Sequence, residues 1–126
     1  MPLSFDKLSR MAAHQERMQR QKVEALAIRK AQALDEVQVL VRKFLLLDQS
    51  ITEIILFGSL ARDDVSSLDS DIDLAVSCSG ERFLALVALA QDSPFRVDLV
   101  ELSRADKRIT DAIVRDGKVL YEKGAL

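Results

Sequence analysis

The strongest constraint on the fold is a strand–turn–strand run in which a glycine turn leads to two carboxylates on one face. Ile51-Thr52-Glu53-Ile54-Ile55-Leu56-Phe57 is dense in β-branched and large apolar residues and follows the polar Asp48-Gln49-Ser50, which predicts a buried strand. Gly58 and Ser59 come next, then a spacer, then Asp71-Ile72-Asp73-Leu74-Ala75-Val76. Side chains alternate between the faces of a strand, so Asp71 and Asp73 share one face while Ile72 and Leu74 turn to the core. Neighbouring carboxylates raise each other's pKa unless a positive charge lies between them. A divalent cation meets that need. Magnesium, which takes carboxylate and substrate phosphate oxygens together, suits a phosphoryl or nucleotidyl transfer site. For an isolated Asp-x-Asp the alternative is a solvated, inert pair at a strand edge.

The turn adds a second requirement. Gly58 has no Cβ and lets backbone approach a phosphate closely. Ser59 is placed to cap a short helical turn, Leu60-Ala61-Arg62, whose free N–H groups would form an anion site. An ordinary strand-to-helix turn with a serine cap explains the dipeptide alone; joined to Asp71 and Asp73, it points to phosphate chemistry.

The run Phe57-Gly58-Ser59-Leu60-Ala61-Arg62, a spacer and Asp71-Ile72-Asp73 together resemble the signature of the DNA polymerase β-type nucleotidyltransferase superfamily. The compact form is similar to its minimal nucleotidyltransferase (MNT) branch, and the resemblance spans residues 51–122. It implies a third carboxylate on a later strand, which Asp98 supplies within Phe95-Arg96-Val97-Asp98-Leu99-Val100; a local ion pair with Arg96 is the alternative for Asp98. Two departures stand out. The spacer between Ser59 and Asp71 holds 11 residues, longer than in the nearest MNT forms, and Asp63 stands where glycine often follows the arginine, which bears on the turn and on anion binding.

The resemblance further implies magnesium-dependent nucleotidyl transfer, with Asp71, Asp73 and Asp98 as ligands of two Mg2+ ions and Asp98 as a possible acceptor of the substrate's proton. Gly58 and Ser59 would hold the terminal phosphates. Arg62 would contact phosphate or lock the loop through Asp63, Asp64 or Asp69. MNT proteins pair with HEPN proteins as toxin–antitoxin systems, so the implied reaction is transfer of AMP from ATP to a hydroxyl of a protein partner. A non-catalytic binding or assembly module that keeps the fold, and transfer to a small molecule such as an aminoglycoside, are the rival readings.

A chain of 126 residues makes one core but not a nucleotide domain plus a separate acceptor domain, which favours a protein acceptor or a site completed by a partner. The net charge of −2 carries no strong nucleic-acid signal. Charge is uneven: residues 1–50 hold 9 Lys/Arg against 6 Asp/Glu, and residues 51–126 hold 9 against 14, so the site-bearing part is acidic. The lone Cys78 excludes an internal disulfide, and the lone His14 is distant from the carboxylates. The apolar run Phe83–Ala90, 8 residues long, is too short to span a bilayer. With no secretory signal visible, a cytoplasmic protein without a membrane partner is expected.

The remaining pattern predicts an α/β (α+β) fold: a small mixed β-sheet with packed helices, a nucleotidyltransferase-like core preceded by a long N-terminal helix or helix pair. No glycine or proline occurs between Leu3 and Phe57, so one long helix or two stacked ones should run over residues 4–47. Val23, Leu26, Ala33, Val37, Leu40, Phe44 and Leu47 form its inward stripe, interrupted by Lys30. Residues 14–22 are almost wholly polar, leaving either a solvated helix or a docking surface for a partner or a second copy. Two units are expected: an N-terminal helical arm, 1–50, packing on the core, and a minimal nucleotidyltransferase domain, 51–126. Within the latter a helix over 81–91, a strand over 95–101, a helix opened by a Ser103-Arg104-Ala105-Asp106 capping box and stopped by Gly117, and a strand over 118–122 complete the order.

Overall fold

The computed structural model describes residues 4–63 and 71–124. Helix α1, Phe5–Leu47, is one unbroken helix of 43 residues. The Ser4 side chain opens it by accepting the Lys7 N–H at 3.2 Å. Asp48 follows its last turn, with a side chain that accepts the Ser50 N–H at 2.9 Å, a local turn that competes with further helix. Burial begins only at Ala33 and continues through Val37, Leu40, Val41 and Phe44. The expected inward stripe is therefore too long: Val23 is 57% and Leu47 37% exposed. Length explains the difference. A helix of this size extends about 65 Å, whereas strands of five or six residues reach about 20 Å, so most of α1 runs past the sheet.

The sheet holds β1 (Glu53–Phe57), β2 (Ile72–Ser77), β3 (Val97–Glu101) and β4 (Lys118–Glu122) in the order β3-β2-β1-β4. β1 runs antiparallel to both β2 and β4. β2 and β3 are parallel because the crossover helix α3, Phe83–Gln91, carries the chain back to the same end. The sheet is thus mixed, as the pattern predicts. A four-residue helix α2, Gly58–Ala61, follows β1, and α4, Lys107–Asp116, links β3 to β4.

The two faces divide the apolar residues. Ile54 and Leu56 of β1 and Ile72, Leu74 and Val76 of β2 pack beneath α1 and α3 in the main core. Ile55, Phe57 and Ala75 face the other way, under Ile109, Ala112 and Ile113 of α4. Two covered faces account for the unbroken apolar run of β1. One local expectation is overturned: α4 is capped by Asp106, which accepts the Ile109 N–H at 2.9 Å, and Ser103 instead donates to Glu101 from a short 3-10 turn. Among the described residues no helix is long and apolar enough to cross a membrane.

Candidate active site

Asp73 sits in β2 directly beside Asp98 of β3 in the parallel register. Paired residues of adjacent strands share a face, so the two carboxylates project together. Asp71 stands just before β2, one alternation earlier. Phe57, the last residue of β1, lies opposite Asp73, which brings the following Gly58 against the Asp73 side chain. A Cβ on Gly58 would lie 2.1 Å from Asp73 Oδ2, and Gly58 has φ of 76°. Both facts require glycine.

Asp73 carries the electrostatic signature of the site. Burial, reinforced by the charges of Asp98 and Asp71 and only partly offset by Arg62, raises its pKa to about 6. Asp73 is therefore only partly neutralised by its neighbours. Arg96, the expected local partner of Asp98, instead approaches Asp71, Nε to Oδ2 at 3.8 Å. Asp98 is the exposed residue of β3.

The turn after β1 differs in detail from its expected form. The N-cap position of α2 is Phe57, which makes no side-chain cap bond; Ser59 lies inside the single turn of helix and does not cap it. Arg62 reaches Asp116 of α4, Nη1 to Oδ2 at 3.3 Å, and the same carboxylate oxygen meets Arg115 at 2.9 Å. Of the loop partners considered for Arg62, Asp63 pairs with Lys30 of α1, while Asp64 and Asp69 lie outside the described residues. Asp63 has φ of 64°, a left-handed conformation that aspartate tolerates better than most residues.

A cleft of about 500 Å³ opens over Asp73 and Asp98, walled by Val87 and Ala90 of α3 and by Arg108 and Ile109 of α4. Arg108 makes no ion pair among the described residues and was not singled out by the sequence pattern. Its one sequence signal is a basic pair, Lys107-Arg108, in the first turn of a helix, where the helix dipole disfavours cations.

Among the described residues no three acidic, histidine or cysteine side chains converge tightly enough to form a closed metal-ligand set. The donors do fit a hard cation. They are all oxygens, Asp73 is only partly offset by Arg62, and magnesium is held by one or two carboxylates with water and phosphate oxygens filling its other positions.

The profile of the polymerase beta nucleotidyltransferase family matches residues 40–125, beginning inside α1. No curated protein matches the chain in sequence. Among solved structures, a toxin–antitoxin complex with AMP-PNP is 27% identical with a TM-score of 0.54, over 71% of this chain and 73% of that one. A mutant of the toxin–antitoxin pair MntA–HpeT, in which two aspartates two positions apart are replaced by glutamate, is 25% identical with a TM-score of 0.52, over 71% and 73% of the two chains. A nucleotidyltransferase-like protein from Sulfolobus solfataricus, 15% identical with a TM-score of 0.56 over 79% and 88%, shares the fold. Enzymes of this family generally use a divalent metal.

Proposed function

We infer that this chain, which belongs to the polymerase beta nucleotidyltransferase family and is similar to toxin–antitoxin structures, one of them with AMP-PNP, transfers AMP from ATP to a hydroxyl of a partner protein. The partner class is a HEPN toxin, so the chain acts as an antitoxin by modifying what it binds. The observation that carries the reading is Asp73 beside Asp98 on the face reached by the Gly58 turn, with a pKa raised by burial and by the charges of Asp98 and Asp71.

The oxygen of the acceptor hydroxyl attacks the α-phosphorus of ATP and forms a new P–O bond. The bond from that phosphorus to the oxygen bridging the β-phosphate breaks, and pyrophosphate leaves with the electron pair. Asp98, exposed at the cleft, takes the hydroxyl proton. Asp71, Asp73 and Asp98 would hold magnesium, two ions in the complete site, and the bound metal supplies charge neutralisation at the phosphate oxygens. Gly58 and Ser59 hold the terminal phosphates. Arg62 moves from Asp116 to a phosphate, and Asp116 remains paired with Arg115 when it does. Alignment of the hydroxyl with the α-phosphate accounts for much of the acceleration in such a site.

Thermal unfolding with magnesium and each of ATP, GTP, CTP and UTP tests the reading. Ligand binding raises the midpoint by mass action. A magnesium-dependent rise with ATP, lost in the Asp71→Asn/Asp73→Asn variant, together with AMP labelling of a HEPN protein, is the expected result. Absence of labelling with the nucleotide shift intact would remove the partner assignment; absence of both would remove the enzyme.

A further inference from the structure

We propose that the acceptor enters as an extended segment that adds a strand to the open edge of β3. Its hydroxyl-bearing side chain lies on the face of Asp98, with apolar side chains immediately before and after it in sequence. The inference rests on the nucleotidyl-transfer reading and specifies the shape and local sequence of the acceptor.

β3 ends the sheet on its side. The Ile72 N–H donates to the Arg96 carbonyl at 2.9 Å, and Ile72 pairs with Val97 and Leu74 with Leu99. In a parallel ladder, the two residues flanking each such pairing position bond to the neighbouring strand, and the paired residue itself points its N–H and C=O the opposite way. Arg96, Asp98 and Val100 therefore face β2 with their backbone groups, whereas Val97 and Leu99 turn theirs outward. Among the described residues no strand lies on that side. Such a row of unpaired groups is a template for an added strand, which brings main-chain hydrogen bonds for affinity and alternating pockets for specificity.

What commits this edge to the acceptor is its continuity with the reaction cleft. Asp98 is carried by the edge strand itself. The cleft wraps that edge, with α3 lining one side and α4 the other. β4 forms the opposite edge and carries none of Asp71, Asp73 and Asp98. A strand added beside β3 would lie about 4.8 Å away, so its residue opposite Asp98 presents a hydroxyl to the carboxylates. The residues on either side of it fall on the other face, beside Val97 and Leu99 and against the apolar wall of Val87 and Ala90. The selected segment is apolar–hydroxyl–apolar and extended, and a helical or purely small-molecule acceptor leaves the edge unused.

Amide hydrogen exchange at Val97 and Leu99 in the full chain, alone and in complex with a HEPN protein that it labels with AMP, tests the inference. Both amides are expected to slow by about tenfold or more in the complex, with the β4 amides unchanged. Val97→Pro removes an outward N–H at the first position of an edge strand, where proline is tolerated. This variant is expected to unfold cooperatively but to label the HEPN protein about tenfold or more slowly, because the main-chain bonds to the acceptor are cut. Unchanged exchange at both amides in a complex that is labelled, or undiminished labelling by a folded Val97→Pro chain, overturns edge docking and leaves the enzyme standing. A wild-type chain that labels no HEPN protein overturns the transfer reading and this inference with it.

Discussion

On β2, Ile72, Leu74 and Val76 are completely buried under α1 and α3. One position away on the same strand, Asp73 stands half-buried on the opposite face with a carboxylate that Arg62 only partly compensates. The same strand thus supplies the best-packed residues of the domain and its least comfortable one. The first face is apolar and closed, and its contribution is stability. The second is covered by α4 only over Ile55, Phe57 and Ala75, which leaves Asp73 and Asp98 at a cleft. Substitutions on the two faces should therefore fail in different ways.

The largest effect expected is on activity. Asp73→Asn should lower AMP transfer on the order of a thousandfold, as removal of a group that organises transition-state charge does, with the far-UV circular dichroism unchanged. A variant that loses its fold instead would break the contrast between the faces. Next, Leu74→Ala should cost about 2–5 kcal/mol of stability in urea unfolding, the range for truncating a buried leucine; a cost below that range would mean that the closed face is less tightly packed than its burial indicates.

Gly58 belongs to both regions, since it joins a core strand to the site. Gly58→Ala should destabilise by about 1–3 kcal/mol through its left-handed backbone and, by pushing the new methyl into Asp73, should also reduce transfer. Wild-type rates in this variant would show that Asp73 need not sit against the turn.

A pH series sharpens the comparison further. The folded chain holds the Asp73 proton up to about pH 6, whereas an unfolded aspartate releases it near pH 4, at about 3.9. Between those values the unfolded state binds fewer protons, so this group makes stability fall as pH rises. In metal-free buffer above pH 6, Asp73→Asn should accordingly melt higher than wild type, and the gap should close as the pH falls toward 4. A gap independent of pH would mean that packing, not charge, distinguishes the two chains.

The smallest effect belongs to α1. Its C-terminal part is anchored by Ala33 to Phe44 and by a hydrogen bond from Ser93 to Glu36, and it holds the turn after α2 through Lys30 and Asp63. Lys30→Ala should change stability by no more than about 1 kcal/mol, as expected for an ion pair at the surface whose aspartate is exposed and whose lysine is partly so. A larger loss would show that the helix helps to hold the site's turn in shape.

Sequence patterning reached the site where the information is local. Period-two alternation put Asp71 and Asp73 on one face, and the lone glycine at the end of an apolar strand marked the turn. Patterning went astray over Val23 and Leu47, because a 3–4 stripe records which side of a helix could be buried and not where the partner sheet ends. It assigned the helix cap to Ser103 when Asp106 was also a good cap, a choice made by the 3-10 turn leaving β3. It overlooked Arg108, whose meaning depends on which wall of the cleft α4 supplies.

By itself, the sequence determined the main elements, their order and the placing of Asp71 and Asp73 on one face, because these follow from apolar periodicity, glycine and alternation over short stretches; the mixed sheet and Asp98 were expected through the family resemblance. Only the tertiary structure decided that Asp98 lies beside Asp73, that Arg62 rests on Asp116 and Lys30 on Asp63, and that β3 is an edge of the sheet among the described residues. Those relations join segments far apart in the chain, and they arise from how α3 returns the strand to the sheet and how α1 and α4 pack on its two faces, which no local pattern encodes.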